Sequence, residues 1–148
     1  MKLILRTLII GLAVGCTPAV TLPPIASEGI NASFGKTWDA VIDGLSEGNV
    51  PVKTLDKASG YITVEVADAG SSEAEYASKL GKDALADCGP KLVRYPMLAR
   101  YNIVVRGDST TSTVRVRAQF SENGWDCPSR NTFETKLQSY VKAKAEGR

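Results

Sequence analysis

Few residues in this chain are placed for catalysis. It has no histidine, so neither a Ser–His nor a Cys–His pair can activate a nucleophile. Its 13 glycines never reach GxGxxG or GxxxxGK spacing, which leaves no loop built to cradle phosphate. Asp39 and Asp43 stand four residues apart. On one helix face two such carboxylates can share a proton or hold a cation, and the same spacing also describes an ordinary solvated face. Cys16, Cys88 and Cys127 are the only thiols. Arg100, Arg106, Arg115 and Arg117 sit in two stretches of strand-like alternation, where residues two apart share a face. No catalytic, cofactor-binding or metal-binding residue is assigned.

The elements that must position these residues are readable from periodicity. Ser33 to Glu47 carries Phe34, Trp38, Val41, Ile42 and Leu45 on one helical stripe, with Ser33 as N-cap and Gly48 just past the end. Asp39, Asp43 and Glu47 line the other side. Val50–Asp56 and Tyr61–Val66 read as a hairpin turned at Gly60. Ser71–Asp87 reads as a second helix with a Ser72/Glu75 capping box, stopped by Cys88-Gly89-Pro90. Met97–Arg106 and Thr113–Ser121 form a second hairpin across GDSTTS, and Asn123-Gly124 turns the chain again. Trp125–Pro128 leads into a last helix, with Asn131 and Glu134 as its capping box and Phe133, Leu137, Tyr140 and Val141 as its buried stripe. The order α-β-β-α-β-β-α predicts an α+β domain, an antiparallel sheet of two hairpins with helices on one face. The four arginines then share the opposite face. They can meet anionic headgroups, a carboxylate-bearing glycan or an acidic partner, or they can simply be neutralised by Glu65 and other acids.

Location is legible at the N-terminus. Lys2 and Arg6 open a basic end, Leu8–Val14 is an apolar run too short to span a bilayer, and small residues lead to Cys16. These are the three parts of an export signal. Leu12-Ala13-Val14-Gly15-Cys16 resembles the lipobox of bacterial lipoproteins. That resemblance implies cleavage after residue 15 and a lipidated Cys16. Residues 16–32 hold Pro18, Pro23 and Pro24 and read as a tether, reaching roughly 50 Å when stretched. The single domain is expected over 33–148. Two cysteines, Cys88 and Cys127, then remain in an exported chain, where such pairs usually form a disulfide. A metal site competes poorly, since it wants more thiolates or histidines.

Lys+Arg number 18 and Asp+Glu 16. Removing Lys2 and Arg6 with the signal leaves the mature chain neutral, which removes the motive for a nucleic-acid partner. From Glu28 to Asp87 there are 11 acids and 5 bases, and from Cys88 to Arg148 the numbers are reversed. Either the surface is polarised or the two halves interleave and cancel.

Trp38 on the first helix, Asp56, and Gly60-Tyr61-Ile62 opening a strand, together with the lipobox, the proline tether and the closing helix, resemble BamC-like lipoproteins. These are accessory parts of the outer-membrane β-barrel assembly machinery. The resemblance, over roughly residues 33 to 145, implies a helix-grip-like fold and a non-enzymatic scaffold or envelope-assembly role, with an envelope protein as partner. With Thr17 after the lipidated cysteine rather than aspartate, it further implies the periplasmic face of the outer membrane, with lipid on Cys16 as the membrane contact. The alternative is a module binding lipid, glycan or peptide in a groove between sheet and helix.

Overall fold

A computed structural model describes residues 22–67, 85–89 and 95–148. Its elements are β1 (Glu28–Ile30), α1 (Phe34–Glu47), β2 (Val52–Asp56), β3 (Tyr61–Val66), β4 (Met97–Gly107), β5 (Ser112–Glu122), β6 (Trp125–Cys127) and α2 (Thr132–Ala145). The strands form one antiparallel sheet in the order β1-β5-β4-β3-β2, with β6 also paired to β5. Both helices pack on the same face of it and against each other. The protein is α+β.

Alternation builds the core as expected. Ile62 faces Ile103, which faces Val116, and Val66, Ala99 and Phe120 line up likewise. All six are buried. Tyr101 carries the sheet's contact to α2, with its ring centroid 4.0 Å from that of Phe133 and edge-on to Phe120 at 5.8 Å. From α1, Trp38, Val41 and Leu45 bury fully. Each such side chain contributes roughly 1.5–3 kcal/mol by leaving water. Ser33 caps α1, its Oγ accepting from the Lys36 N–H at 3.4 Å. At Gly44 the helices approach so closely that a Cβ would lie 2.9 Å from the Tyr140 ring.

Two turns fix the long hairpins. In the first, the Asp56 carboxylate accepts the Ser59 N–H at 3.1 Å and Gly60 takes φ +63. In the second, one Asp108 carboxylate oxygen accepts the Thr110 and Thr111 N–H groups at 2.7 and 2.9 Å and the Thr110 hydroxyl at 2.8 Å. Those donors, the Thr111 N–H foremost, pull the Asp108 pKa down to about 2. The Asp108 carbonyl in turn accepts the Phe34 N–H at 2.8 Å, which ties the hairpin tip to the start of α1.

The structure departs from the sequence reading in three places. Glu28–Ile30, read as tether, pair with Ser112–Val114 as an edge strand. Three residues carry too little alternation to announce themselves, and the backbone ladder holds them. Trp125–Cys127 is a strand rather than a lead-in, hairpinned to β5 through left-handed Asn123 and Gly124. Its Trp125 is 74% exposed, so no buried alternation marks it. Asn131 sits before α2 but in the left-handed region, with no side-chain cap bond. Ser129 takes Glu134 instead, at 2.6 Å. Of the expected helix at Ser71–Asp87, residues 71–84 lie outside the described residues. Leu85 and Ala86 are buried, and Ala86 bridges Ser129.

Candidate functional site on the open face and outer edge of β5

The register brings the four arginines to one face. Arg100 lies opposite Gln119, Arg117 opposite Asn102, Arg115 opposite Val104, and Arg106 opposite Thr113. All four are exposed. Two are already engaged. Arg100 donates to Glu65 at 3.1 and 3.3 Å, and Lys53 meets the same oxygen at 2.6 Å. These cations, Lys53 first, hold the Glu65 carboxyl below its usual pKa. Arg106 donates to the carbonyls of Ser59 and Val105. Arg115 and Arg117 have no ion-pair partner among the described residues.

The opposed charges of the two halves interleave. Besides Arg100 with Glu65, Arg130 pairs with Asp87, Lys142 with Glu28, and Lys144 with both Asp43 and Glu47. Asp39 pairs with Lys57 at 3.3 Å. The Asp39/Asp43 couple is thus a solvated face met by lysines. Among the described residues Arg106, Arg115 and Arg117 stay outside these ion pairs, and of the three only Arg106 is held, by backbone carbonyls.

Cys88 and Cys127 form a disulfide, with Cα atoms 4.7 Å apart. The buried Glu122 carboxylate lies beside it, within 4.8 Å of both sulfurs, and accepts the Tyr95 N–H at 2.9 Å. With both sulfurs committed to the bond, this cluster is structural. Cys16 lies outside the described residues.

The feature that sequence reasoning missed is an opening in the outer edge of β5. Val105 donates its N–H to the Gly60 carbonyl on the β3 side at 2.9 Å. Its partner Val114 therefore turns its own polar groups away from β4, and by alternation so do Val116, Ala118 and Phe120. Val114 is met by β1 and by Gln138 Nε2 at 3.0 Å, and Phe120 by Cys127 of β6. Val116 and Ala118 have no strand beside them among the described residues. Continuing the β1 register would place Ala26 opposite Val116 and Pro24 opposite Ala118. Pro24 has no N–H to give, and the Ala26 carbonyl accepts from Gln138 instead, at 2.9 Å. Asn131 Nδ2 holds the Pro23 carbonyl at 2.9 Å. The segment is thereby tied to α2, and through the same Gln138 Nε2, which also donates to the Val114 carbonyl, it stays beside β5 without pairing to it as a strand.

A cavity of about 430 Å³ fills the space, lined by Pro24, Ile25, Val116, Arg117, Ala118 and Glu134 among others. Glu134 is 2% exposed. One of its carboxylate oxygens accepts from Ser129, and the other is buried with no partner among the described residues. Sequence marked Glu134 only as half of a capping box. Its spacing from Ser129 was the available signal. A second groove, about 350 Å³, runs between Gly44, Val50, Leu137 and Tyr140. Glu47 beside it, then burial, hold the Tyr140 phenol above its usual pKa.

No family model matches this chain, and no curated protein is significantly similar to it. Among solved structures it is similar to a DUF4468 family protein from Bacteroides ovatus ATCC 8483 at 14% identity, over 82% of this chain and 77% of that one, with a TM-score of 0.37.

Proposed function

We propose that this chain is a lipid-anchored, non-enzymatic envelope lipoprotein that acts as a scaffold by docking an acidic protein surface. The observation that carries this reading is the pair Arg115 and Arg117, exposed on the open face of the sheet and without an ion-pair partner among the described residues. Guanidinium groups are suited to bidentate carboxylate recognition, and contacts made by exposed charges weaken with salt. The anchor is supported by the export signal ending at Cys16, and the outer-membrane periplasmic location by the resemblance to BamC-like lipoproteins. A second reading, a binding module with a groove, is favoured by the cavity beside β5 and the buried Glu134.

Two variants test the first reading. Replacing Arg115 and Arg117 together with serine is expected to change the unfolding free energy by within about 0.5 kcal/mol, as exposed substitutions do. Recovery of the crosslinked partner from membranes should fall, most at low ionic strength. Equal recovery with wild-type and variant returns the pair to a solvated face, and failure to fold contradicts the face assignment. Cys16→Ala is expected to move the protein from the membrane to the soluble fraction, because stable anchoring needs more than one acyl chain and none would remain. A variant that still sediments with salt-washed membranes overturns the anchor.

A further inference from the structure

We propose that the end of the sheet carrying Trp125 is seated on the lipid bilayer, with that indole and the Leu22 side chain in the headgroup layer. This deepens the lipoprotein reading and rests on its anchor at Cys16. Among the described residues six large apolar side chains are exposed, and they fall into two groups. Val52, Leu55 and Tyr61 belong to the β2–β3 hairpin. Trp125, Tyr95 and Leu22 gather around the far end of β5. Trp125 lies opposite Glu122 across the β5–β6 turn, and the Glu122 carboxylate accepts the Tyr95 N–H. Leu22 lines the cavity with Ala118, Gln119 and Ser129, and Ser129 stands two residues past the end of β6.

Trp125 is 74% exposed, against 3% for Trp38. An indole left that open gives up the burial that large aromatics usually supply to a core. Its amphipathic ring suits the boundary between headgroups and acyl chains, where tryptophan and tyrosine collect. Asp126, next along β6, alternates to the other face of the sheet. The contact therefore needs no headgroup charge, and a neutral lipid surface satisfies it.

What covers this end follows from where the chain joins the domain. Residues 22–30 run beside β5 from the level of Ala118 and Gln119 to the pairing of Ile30 with Ser112. The chain thus reaches the domain from the Trp125 end and not from the hairpin tip at Asp108. Asn131 Nδ2 fixes Pro23 there. Only the seven residues from Cys16 to Leu22 separate the lipidated position from this point. Fully stretched they reach about 20 Å, less than the width of a small domain. An anchor so close brings this end to the membrane first, and Trp125 and Leu22 are the apolar groups it brings. The other group sits at the opposite edge of the sheet, four strands from β6 and about 19 Å across, and is left in water.

The test places the lipidated protein in phosphatidylcholine vesicles whose acyl chains carry bromine near the headgroups, a contact quencher of tryptophan. Trp125 is one of two tryptophans and Trp38 is buried, so bromine should remove up to about half of the emission. The quenching should vanish in Trp125→Ser. A tryptophan placed on the distant hairpin by adding Leu55→Trp to that variant should stay unquenched. Iodide in the water should act in the reverse order, weakly on wild type and strongly on the Leu55→Trp protein. The wild-type measurement needs no variant, so the outcome stands even where a substitution fails to fold. Protein that floats with the vesicles while Trp125 is open to iodide and untouched by bromine overturns the seating and keeps the anchor. Protein that does not float overturns both. Equal bromine quenching at positions 125 and 55 means that the domain has no fixed seat, which also overturns the proposal. A photocrosslink from position 125 to a protein in cells, with Trp125 open to iodide in vesicles, gives this end to a protein partner and overturns it too.

Discussion

Replacing Cys88 and Cys127 together with alanine is expected to lower the unfolding free energy by about 4 kcal/mol, the loop-closure entropy a bridge across some 40 residues removes from the unfolded chain. The sequence separation is 39. What the bond joins is also held by other means. Asp87 N–H donates to the Pro128 carbonyl and Arg130 N–H to the Leu85 carbonyl, each at 2.9 Å, and Arg130 pairs with Asp87. The native contact should therefore persist in the variant while its unfolded chain gains freedom. Urea denaturation of wild type and variant separates these effects. The midpoint should fall, and the slope should rise if the unfolded chain becomes more expanded. An unchanged midpoint would mean that the bridge removes no freedom from the unfolded chain, and would overturn the loop-closure account.

Gly60→Ala is the second large expected effect, a loss of about 3 kcal/mol or more. Gly60 has φ +63, and a Cβ there would lie 2.2 Å from the Val105 carbonyl oxygen and 3.3 Å from the Phe34 ring. The backbone oxygen cannot swing aside, because β4 is paired along its length. The Gly60 carbonyl also accepts the Val105 N–H, so the turn and the strand would have to move together. Gly29→Ala is the matched control. It lies on edge strand β1 with nothing within 4 Å of an added Cβ, and should change stability by within about 0.5 kcal/mol. A small loss at Gly60 would show that the first hairpin can reclose around a different turn.

What could be read in advance followed the range of the signal. Hairpins at Gly60 and Gly107 and the stripes of both helices are written in residues a few positions apart. They came out with boundaries shifted by a residue or two. The disulfide followed from two cysteines left in a chain that the sequence reads as exported, and the arginine face from strand alternation alone. β1 and β6 were not legible because three-residue strands have almost no periodicity and are held by their neighbour's backbone. Glu134 was misassigned because capping-box spacing says nothing of backbone conformation, and left-handed Asn131 sends Ser129 to do the bonding. The edge opening was the least legible feature. It depends on where β1 stops and β6 begins along β5, a register that only long-range pairing sets.

Gln138 joins three parts of the molecule at one amide nitrogen: the Ala26 carbonyl ahead of β1, the Val114 carbonyl in β5, and α2 itself. If Cys16 carries the lipid, that junction changes the leash on which the domain rides. A free tether through residue 32 would let the protein sweep roughly 50 Å from the bilayer. With the chain already secured at Pro23 and Ala26, the six steps from Cys16 to Leu22 span at most about 20 Å. Any pull on the anchor then enters through the last helix and the edge of β5, not through the distant β2–β3 hairpin. The domain would be moored short and by one flank, so that the mouth beside Glu134 works close to the lipid surface. Only a partner that reaches down to that height would find it.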